Sequence, residues 1–486
     1  MSVEQEVVAL TKATTDLLEV VTEKRAALDG AVATAKASED AAAASSASAK
    51  VAEVSAKKSE GAASASAKAA DDAAMRASKI SGLDDVAAAV SMAALPFPDV
   101  WLPLSDSLNM LAGYGEEVKV GEHVVARKAS FSRNSTATYV GKDGQRKTAA
   151  VNEPRFEKEG LLIEGQSTNL INFSIPVLNG KWTTSKNGTG VEPAVTPNYG
   201  VAPDGTATAS RVVMARGGGT TPSDLSFLTV TGVTTKVGHP LTLSGWIRSN
   251  TSSEYKLMVS HNGSGQELVA VTGTWQRFST TIASAEDASR FPRFSLRGGD
   301  GTSEMADFLL WGVQLEELPS ATSYIPTNGA AVTRAGEYLS IPVAGNLPTS
   351  ELTFCVNVAD YNAATESHRA VVIAPELSAS SERFYLAIGM DGAVTLVVGD
   401  KTTRAAAIKR PGSPVGLAIS ATGKFKLFYN GEIQSSGSFG GPIKLRDNFT
   451  IGAYASGNPR GHINGHIRDL RIWHTFLADE QIKAIK

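Results

Sequence analysis

The sequence predicts a mainly β protein in which β-sandwich modules follow an N-terminal α-helical coiled coil, so that compact modules sit on a fibrous stalk. A change of composition near Pro96 is the first observation behind this prediction. Residues 1–95 contain no aromatic residue and no proline, and alanine and serine dominate them from residue 31 to 80. After Pro96, short runs of alternating apolar residues end in glycine-containing turn signals, which is the pattern of strands. The length, 486 residues, also exceeds what one hydrophobic core usually holds.

Small residues recur at the coiled-coil period in the N-terminal segment. Alternate steps of three and four residues lead from Val7 to Ile80, and every step from Ala31 to Ala77 meets alanine or serine. Small seam residues let helices approach closely but bury little area. Each heptad therefore stabilises the coiled coil only weakly, and many heptads are needed. We expect an oligomeric helical stalk over residues 1–95. The composition is also low-complexity, so a disordered tether is the alternative.

Composition argues against several classes of protein. The chain has 46 basic and 49 acidic side chains, a formal net charge of −3, and we therefore expect no nucleic-acid partner. Its single cysteine, Cys355, excludes an intrachain disulfide and a cysteine-ligated zinc or iron–sulfur site. The sequence contains no run of about 18 apolar residues, so no membrane span is predicted. The acidic start MSVEQEVVAL does not resemble a signal peptide. We expect a soluble chain that is synthesised in a reducing compartment.

The chain after about residue 100 is predicted to be β-sandwich or β-barrel material, with module breaks near residues 172 and 340. Asn-Gly and Asp-Gly pairs such as Asn430-Gly431 favour tight hairpin turns between the runs. The predicted strands include 241–247, 276–282, 393–398 and 424–429.

Residues 130–171 carry the most specific pattern in the chain. In order, they contain F-x-R-x-S-x-A-T-Y at Phe131–Tyr139, D-G at Asp143-Gly144, N-E-P-R-F at Asn152–Phe156, G-L-L-I-E at Gly160–Glu164 and T-N-L at Thr168–Leu170. This block resembles one found in bacteriophage tail-fibre and other virion proteins. The Ala/Ser-rich leader also resembles those that precede phage fibre modules.

Two further segments resemble sugar-binding modules. A carbohydrate-binding jelly roll is suggested by Trp182, SGW at 244–246, TWQRF at 274–278 and the closing run 311–327. The last part of the chain resembles a laminin-G or concanavalin-like lectin sandwich, from KFKLFYNG at 424–431 to the run 462–482.

These patterns and resemblances predict four domains. They are a helical coiled-coil stalk and virion anchor at 1–95, a connector typical of phage fibre proteins at 96–171, a jelly-roll carbohydrate-binding-like module at 172–340 and a laminin-G/concanavalin-like lectin domain at 341–486.

No catalytic residue, cofactor or metal is predicted. The sequence contains no G-x-S-x-G elbow, Walker A loop or H-E-x-x-H pair. Cys355 lies in the apolar run LTFCV, where a buried small hydrophobe is expected. His462, His466 and His474 invite a metal-site hypothesis, but residues four apart on a strand lie about 13 Å from each other, so we expect no shared ion.

Glycan-binding candidates lie in the loop 454–462, which has no apolar pattern: Tyr454, Asn458, Arg460 and His462. Aromatic faces and planar polar groups of this kind suit a sugar, although a plain surface turn is the alternative. The tryptophans at 182, 246, 275, 311 and 473 lie in apolar strand patterns and are expected in the core.

The resemblance implies a homotrimeric phage tail-fibre protein located in the virion tail fibre and synthesised in the host bacterial cytoplasm. Its N-terminus would dock to the tail or baseplate. Its C-terminal modules would attach to a bacterial surface glycan or outer-membrane receptor without making or breaking a bond. A polysaccharide depolymerase and a purely structural tail or decoration protein remain as alternatives.

Overall fold

The computed structural model describes most of the chain after residue 94. The described residues are 95–261, 265–283, 285, 289–348, 351–361, 370–375, 384–389, 392–399, 401–407, 412–441, 448–454 and 461–486. The coiled coil predicted for 1–95 therefore lies outside the described residues, apart from Leu95. The chain divides into two compact units, of which the larger comprises Leu95–Val118 and Ala126–Lys486.

Short strands occupy the first part of the described chain. They are β1 (Val100–Leu102), β2 (Glu116–Val120), β3 (His123–Lys128), β4 (Ser130–Ser132), β5 (Ala137–Val140), β6 (Arg146–Ala149), β7 (Phe156–Glu157), β8 (Gly160–Ile163) and β9 (Ser167–Asn169). Strands β5 and β6 form a hairpin whose turn contains the predicted Asp143-Gly144 pair.

Two five-stranded sheets pack as a jelly-roll-like sandwich in the middle of the chain. The strands of this region are β10 (Trp182–Asn187), β11 (Val191–Gly200), β12 (Ala209–Ala215), β13 (Leu225–Val230), β14 (Val233–Thr234), β15 (Leu241–Ser249), β16 (Tyr255–His261), β17 (Glu267–Val271), β18 (Gln276–Ile282), β19 (Ser289–Arg290), β20 (Pro292–Arg297) and β21 (Met305–Glu316). One sheet has the order β10-β13-β20-β16-β17 and the other β11-β12-β21-β15-β18. Phe278, Phe294 and Phe308 lie in their common core.

The C-terminal strands build a second sandwich. They are β22 (Val332–Arg334), β23 (Tyr338–Pro342), β24 (Leu352–Val358), β25 (Ala370–Pro375), β26 (Phe384–Ile388), β27 (Ala393–Val398), β28 (Lys401–Ala407), β29 (Pro414–Ile419), β30 (Lys424–Tyr429), β31 (Glu432–Ser438), β32 (Asn448–Ile451) and β33 (Gly465–Trp473), before helix α1 (Asp479–Lys483). One sheet has the order β31-β30-β29-β24-β33-β8-β7, with β1 also paired to β33. The other has the order β28-β27-β26-β25-β32-β23-β4. Within the described residues, no helix is long and apolar enough to cross a membrane.

Strands β1, β4, β7 and β8 of the predicted connector belong to the sheets of this C-terminal sandwich, whereas β2–β3 and β5–β6 form two-stranded sheets of their own. Strands β1 and β8 both pair with β33, through Val100 opposite Ile472 and Leu162 opposite His466. Strand β4 pairs with β23, on the other sheet. Apolar residues of β1 and β8 enter the same core as those of β24 and β29. At residue 171, where the sequence predicts a domain boundary, the chain therefore passes from the C-terminal sandwich into the jelly-roll-like sandwich.

Burial agrees with the predicted core tryptophans at four of five positions. Trp182, Trp246, Trp311 and Trp473 are buried, as the apolar strand patterns indicate. Trp275 is partly buried and packs at the edge of a small aromatic cluster. Cys355 is fully buried, and burial raises the pKa of its thiol to about 12.

A buried ionic network joins the two sandwiches. Arg133, Arg155 and Glu164 of this network come from the connector motifs, whereas Glu337 precedes β23. The Glu337 carboxylate accepts hydrogen bonds from Arg155 Nε at 2.8 Å and Nη2 at 2.6 Å, and from Arg133 Nη1 at 2.7 Å. Arg155 also donates to Glu164 Oε2 at 2.7 Å. Burial alone would raise the pKa of Glu337, but the charges of Arg155 and Arg334 hold that pKa below its usual range.

The same network reaches into the loop that follows the jelly-roll-like sandwich. Ser323 donates from its backbone N–H to Glu164 Oε1 at 2.7 Å and from its hydroxyl to Glu164 Oε2 at 2.6 Å. Beside it, the Asn169 amide donates to the carbonyl of Ile325 and accepts from the N–H of Leu315. The arginine, glutamate and asparagine of the N-E-P-R-F, G-L-L-I-E and T-N-L motifs thus have structural partners at the junction.

Removing one member of this network should destabilise the protein strongly. We expect Arg155→Met to lower the free energy of unfolding by about 3–5 kcal/mol, because it leaves the buried Glu337 carboxylate short of partners. The measurement is urea unfolding followed by tryptophan fluorescence.

Arg211→Met is the matched control for that substitution. Arg211 makes a bidentate pair with Asp307, at 2.9 and 2.6 Å, on the jelly-roll-like sandwich. Its side chain is 33% exposed, so its loss should cost about 1 kcal/mol or less. Equal losses of unfolding free energy in the two variants would contradict the prediction that the buried network stabilises the protein more than this partly exposed pair does.

Candidate functional site

A cavity of about 390 Å³ opens at the junction of the two sandwiches. Its wall combines the hairpin β5–β6, the strands β7, β8, β15 and β18, the loop around residues 321–324, and the start of β33 with Asn464 before it. The lining residues are Thr138, Tyr139, Val140, Arg146, Glu157, Leu162, Glu164, Trp246, Arg277, Ala321, Thr322, Ser323, Tyr324, Asp360, Asn464, Gly465 and His466. The cavity therefore exists where the connector and both sandwiches meet.

A β-bulge between β15 and β21 positions the tryptophan of this wall. Ser244 pairs with Gln314 and Trp246 with Trp311, so two residues of β21 stand opposite one residue of β15. Gly312 occupies the bulge with a φ of +63°. A Cβ atom there would lie 2.9 Å from the Trp246 ring, so both the backbone conformation and the close approach favour glycine.

Two arginine side chains contact the Trp246 ring. The guanidinium carbon of Arg146 lies 3.8 Å from the ring centroid, and that of Arg277 lies 4.7 Å from it. Tyr324 and Trp311 pack against the same ring at centroid distances of 5.7 and 5.5 Å. Burial, with a smaller contribution from the Arg277 charge, lowers the pKa of Arg146 to about 10, so that its guanidinium stays charged at neutral pH.

His466 bridges two carboxylates in the cavity wall. Its Nδ1 lies 2.8 Å from Asp360 Oδ1 and its Nε2 lies 3.1 Å from Glu157 Oε2. Burial would lower the pKa of His466, but the hydrogen bonds to Asp360 and Glu157 raise it to about 10. The ring is therefore an imidazolium at neutral pH that donates to both carboxylates. In return, the pKa of Asp360, which burial would raise, is lowered.

Glu157, Glu159 and His466 form a cluster that a metal ion could occupy by distance alone. Their nearest donor atoms lie within 4.8 Å of one another. A cation would have to displace the proton that the two carboxylates hold on His466. We assign the cluster to the ion-paired wall of the cavity and give it no metal.

A larger cavity of about 520 Å³ lies nearby and is lined by residues between Asp106 and Phe156. Its charged groups are paired with protein groups. Lys128 forms an ion pair with Glu116, Asp106 with Lys142, and Glu153 accepts a backbone hydrogen bond from Ala150. Because these groups already have partners, we place the candidate site in the junction cavity.

Two of the four residues predicted as glycan contacts, Tyr454 and His462, lie in the described part of the chain. Tyr454 is partly exposed, and its ring packs edge-on against Tyr385 at 5.4 Å. Asn458 and Arg460 lie outside the described residues. His462 is 3% exposed, which corrects the expectation of an exposed loop residue. It packs on the Tyr338 ring, and its Nε2 lies 3.1 Å from the Glu337 carbonyl oxygen.

The three histidines of the rejected metal hypothesis each have a different partner. His466 contacts Asp360 and Glu157, while His474 Nε2 lies 2.8 Å from the Asn346 carbonyl oxygen. Burial lowers the pKa of His462 to about 4, so its ring is neutral.

Sequence reasoning missed the residues that define the cavity. TWQRF served only as a cue for the jelly-roll module, whereas its Arg277 lies in the cavity wall. Arg146 begins the strand after the Asp143-Gly144 turn, opposite Val140. The turn signal could place Arg146 on a hairpin, but no local pattern indicates that this hairpin packs against Trp246.

Residues 333–483 match the Laminin_G_3 family, described as the concanavalin A-like lectin/glucanases superfamily. No curated protein matches the chain by sequence. The matched residues begin in β22 and end with helix α1, so they cover the C-terminal sandwich without the connector strands that complete its sheets.

Solved structures with weak similarity include two carbohydrate-binding domains. The CBM40 of the Ruminococcus gnavus IT-sialidase is 18% identical, with 28% of this chain and 83% of that chain covered and a TM-score of 0.24. Domain 4 of AbnA, a GH43 extracellular arabinanase from Geobacillus stearothermophilus, in complex with arabinotriose, is 16% identical. The match covers 34% of this chain and 81% of that chain, with a TM-score of 0.24. A SAP-like pentraxin from Limulus polyphemus is 15% identical, with 28% of this chain and 69% of that chain covered and a TM-score of 0.21. These similarities concern the fold alone.

The two buried histidines should give the protein a maximum of stability near pH 6.5. The raised pKa of His466 contributes stability that is fully present below about pH 6.5 and is lost as the pH rises toward 10. The lowered pKa of His462 contributes stability that is present above about pH 6.5 and is lost as the pH falls toward 4. The free energy of unfolding should change by at most about 1.4 kcal/mol per pH unit on each side of the maximum. Urea unfolding across this range should show the alkaline slope reduced in His466→Gln and the acid slope reduced in His462→Gln, and unchanged slopes would contradict the assignment.

Proposed function

We propose that this chain binds a glycan in the junction cavity and serves as the receptor-binding protein of a bacteriophage tail fibre. The observation that carries the glycan-binding part is the composition of the cavity wall. The planar guanidinium groups of Arg146 and Arg277 line the cavity beside the rings of Tyr139 and Trp246. A volume of about 390 Å³ lies in the range of small-ligand sites. Planar hydrogen-bonding groups next to aromatic rings suit the hydroxyl groups and apolar faces of a sugar.

The match of residues 333–483 to a lectin superfamily supports a sugar as the ligand. The phage part of the proposal is supported by the resemblance of residues 130–171 to virion proteins. In this view, the protein is a homotrimer in the virion tail fibre, with its N-terminus on the tail or baseplate and its β modules directed at a bacterial surface glycan. Three copies of a weak site would bind a repetitive surface with useful avidity.

We propose binding without bond cleavage. Glu157, Glu164 and Asp360 are the carboxylates that line the cavity. His466 donates a hydrogen bond to Glu157 and to Asp360. Burial would raise the pKa of Glu164, but the charges of Arg334 and Arg155 hold it below its usual range. The lowered pKa of Asp360 keeps this group ionised, so it is a poor proton donor to a glycosidic oxygen. Glycan cleavage would require one protonated carboxyl group held across the sugar from a second one.

The test is binding of the full chain to an array of bacterial surface polysaccharides, with the chain length of each bound glycan measured before and after. We expect saturable binding with unchanged glycan length. Tyr139→Ala should weaken binding about threefold to tenfold, because it removes an aromatic wall of the cavity.

Tyr199→Ala is the matched control for that substitution. Tyr199 is an exposed tyrosine on β11 and does not line the cavity, so its loss should leave binding within twofold of the original. Shortened glycan would identify a depolymerase instead. Absence of binding by the intact chain, or equal effects of the two variants, would overturn the proposed site and favour a structural role.

A further inference from the structure

The two arginines on Trp246 differ from His466, the other cation of the cavity lining, in having unused hydrogen-bond donors. Among the described residues, Arg146 has no hydrogen-bond or ion-pair partner, and its contacts are the faces of Trp246 and Trp311. Arg277 donates through Nη2 to the Thr322 carbonyl at 2.6 Å and to Ser244 Oγ at 3.3 Å, and forms no ion pair within the described part of the chain. Most of the ten guanidinium N–H donors that two arginines carry are therefore free for a ligand.

Two like charges beside one ring repel each other, and the repulsion is felt more strongly away from bulk water. The Arg277 charge contributes to the lowered pKa of Arg146. An anion bound between or beside the two guanidinium groups would relieve this repulsion. A carboxylate fits the planar donor fork of arginine with two parallel hydrogen bonds.

The carboxylates of the cavity do not fill that role, because their oxygens accept from other groups. Glu157 accepts from the backbone N–H of Val140 through Oε1 and from His466 through Oε2. Glu164 accepts from Arg155 and Ser323. Asp360 accepts from the ring and the backbone N–H of His466. None of these three carboxylates forms a hydrogen bond or an ion pair with Arg146 or Arg277 in the described part of the chain. The charges of Glu157 and Glu164 act on Arg146 and Arg277 only from beyond ion-pair distance.

We infer that the junction cavity selects an acidic saccharide, whose carboxylate binds Arg146 and Arg277 while its ring lies in the remaining space. This inference rests on the proposed glycan-binding function and specifies its ligand class. Discrimination against a neutral sugar follows, since a neutral ligand leaves the guanidinium donors without their charge-assisted partners.

The test compares one ligand in two forms: an oligosaccharide that contains hexuronic acid, and the same oligosaccharide after chemical reduction of its carboxyl groups. Calorimetric titration of the full chain should show the acidic form binding at least about tenfold more tightly than the reduced form. Arg146→Gln should abolish this preference by weakening only the acidic form, and should also reduce the salt dependence of binding.

Lys147→Gln is the matched control, because it removes the same charge from the neighbouring residue of β6, whose exposed side chain pairs with Asp143. It should leave both affinities within twofold. Melting temperatures of both variants check that they fold. Equal binding of the acidic and reduced forms, or no effect of Arg146→Gln, would overturn the acidic-ligand inference and leave glycan binding in place. Binding of neither form, together with no polysaccharide bound on the array, would overturn the proposed function itself.

Discussion

The buried carboxylate of Glu337 accepts hydrogen bonds from three connector residues that lie 173 to 204 positions earlier in the sequence. Burying a charge costs several kcal/mol unless its partners are in place. Here Arg133 and Arg155 of the connector donate to it, as does the backbone N–H of Glu164 at 2.9 Å. The Glu164 carboxylate carries the network on to Ser323, beyond the jelly-roll-like sandwich. The positions of the two sandwiches around the cavity follow from these contacts, because each partner satisfies the others.

The β-sandwich part of the fold class could be predicted from sequence because strand periodicity and turn signals are local. The Asp143-Gly144 and Asn430-Gly431 turns and the buried tryptophans of 182, 246, 311 and 473 follow from those signals. The sharing of sheets between the connector and the C-terminal sandwich could not be predicted. Val100 pairs with Ile472 across almost the whole described chain, and no local pattern encodes a partner at that distance.

The residues of the candidate site were even harder to predict from local sequence patterns. Exposure at the loop 454–462 was inferred from the absence of an apolar pattern, yet His462 is buried against Tyr338 because a polar ring can satisfy its nitrogen with a backbone carbonyl. Arg146 looks like an ordinary hairpin residue in the sequence. Its contact with Trp246 depends on a bulge at Gly312, about 170 residues later, which only the assembled sheets reveal.

The pairing of β1 and β8 with β33 also determines when the protein can finish folding. A ribosome adds on the order of 5–20 residues per second, so tens of seconds separate the synthesis of β1 from that of its partner. During that interval the apolar side chains of Val100, Leu102 and Leu161 have no core to enter, because that core is completed by the last strand. The early strands must therefore avoid association with other nascent chains. Short strands of three and four residues, as β1 and β8 are, offer little edge for such association.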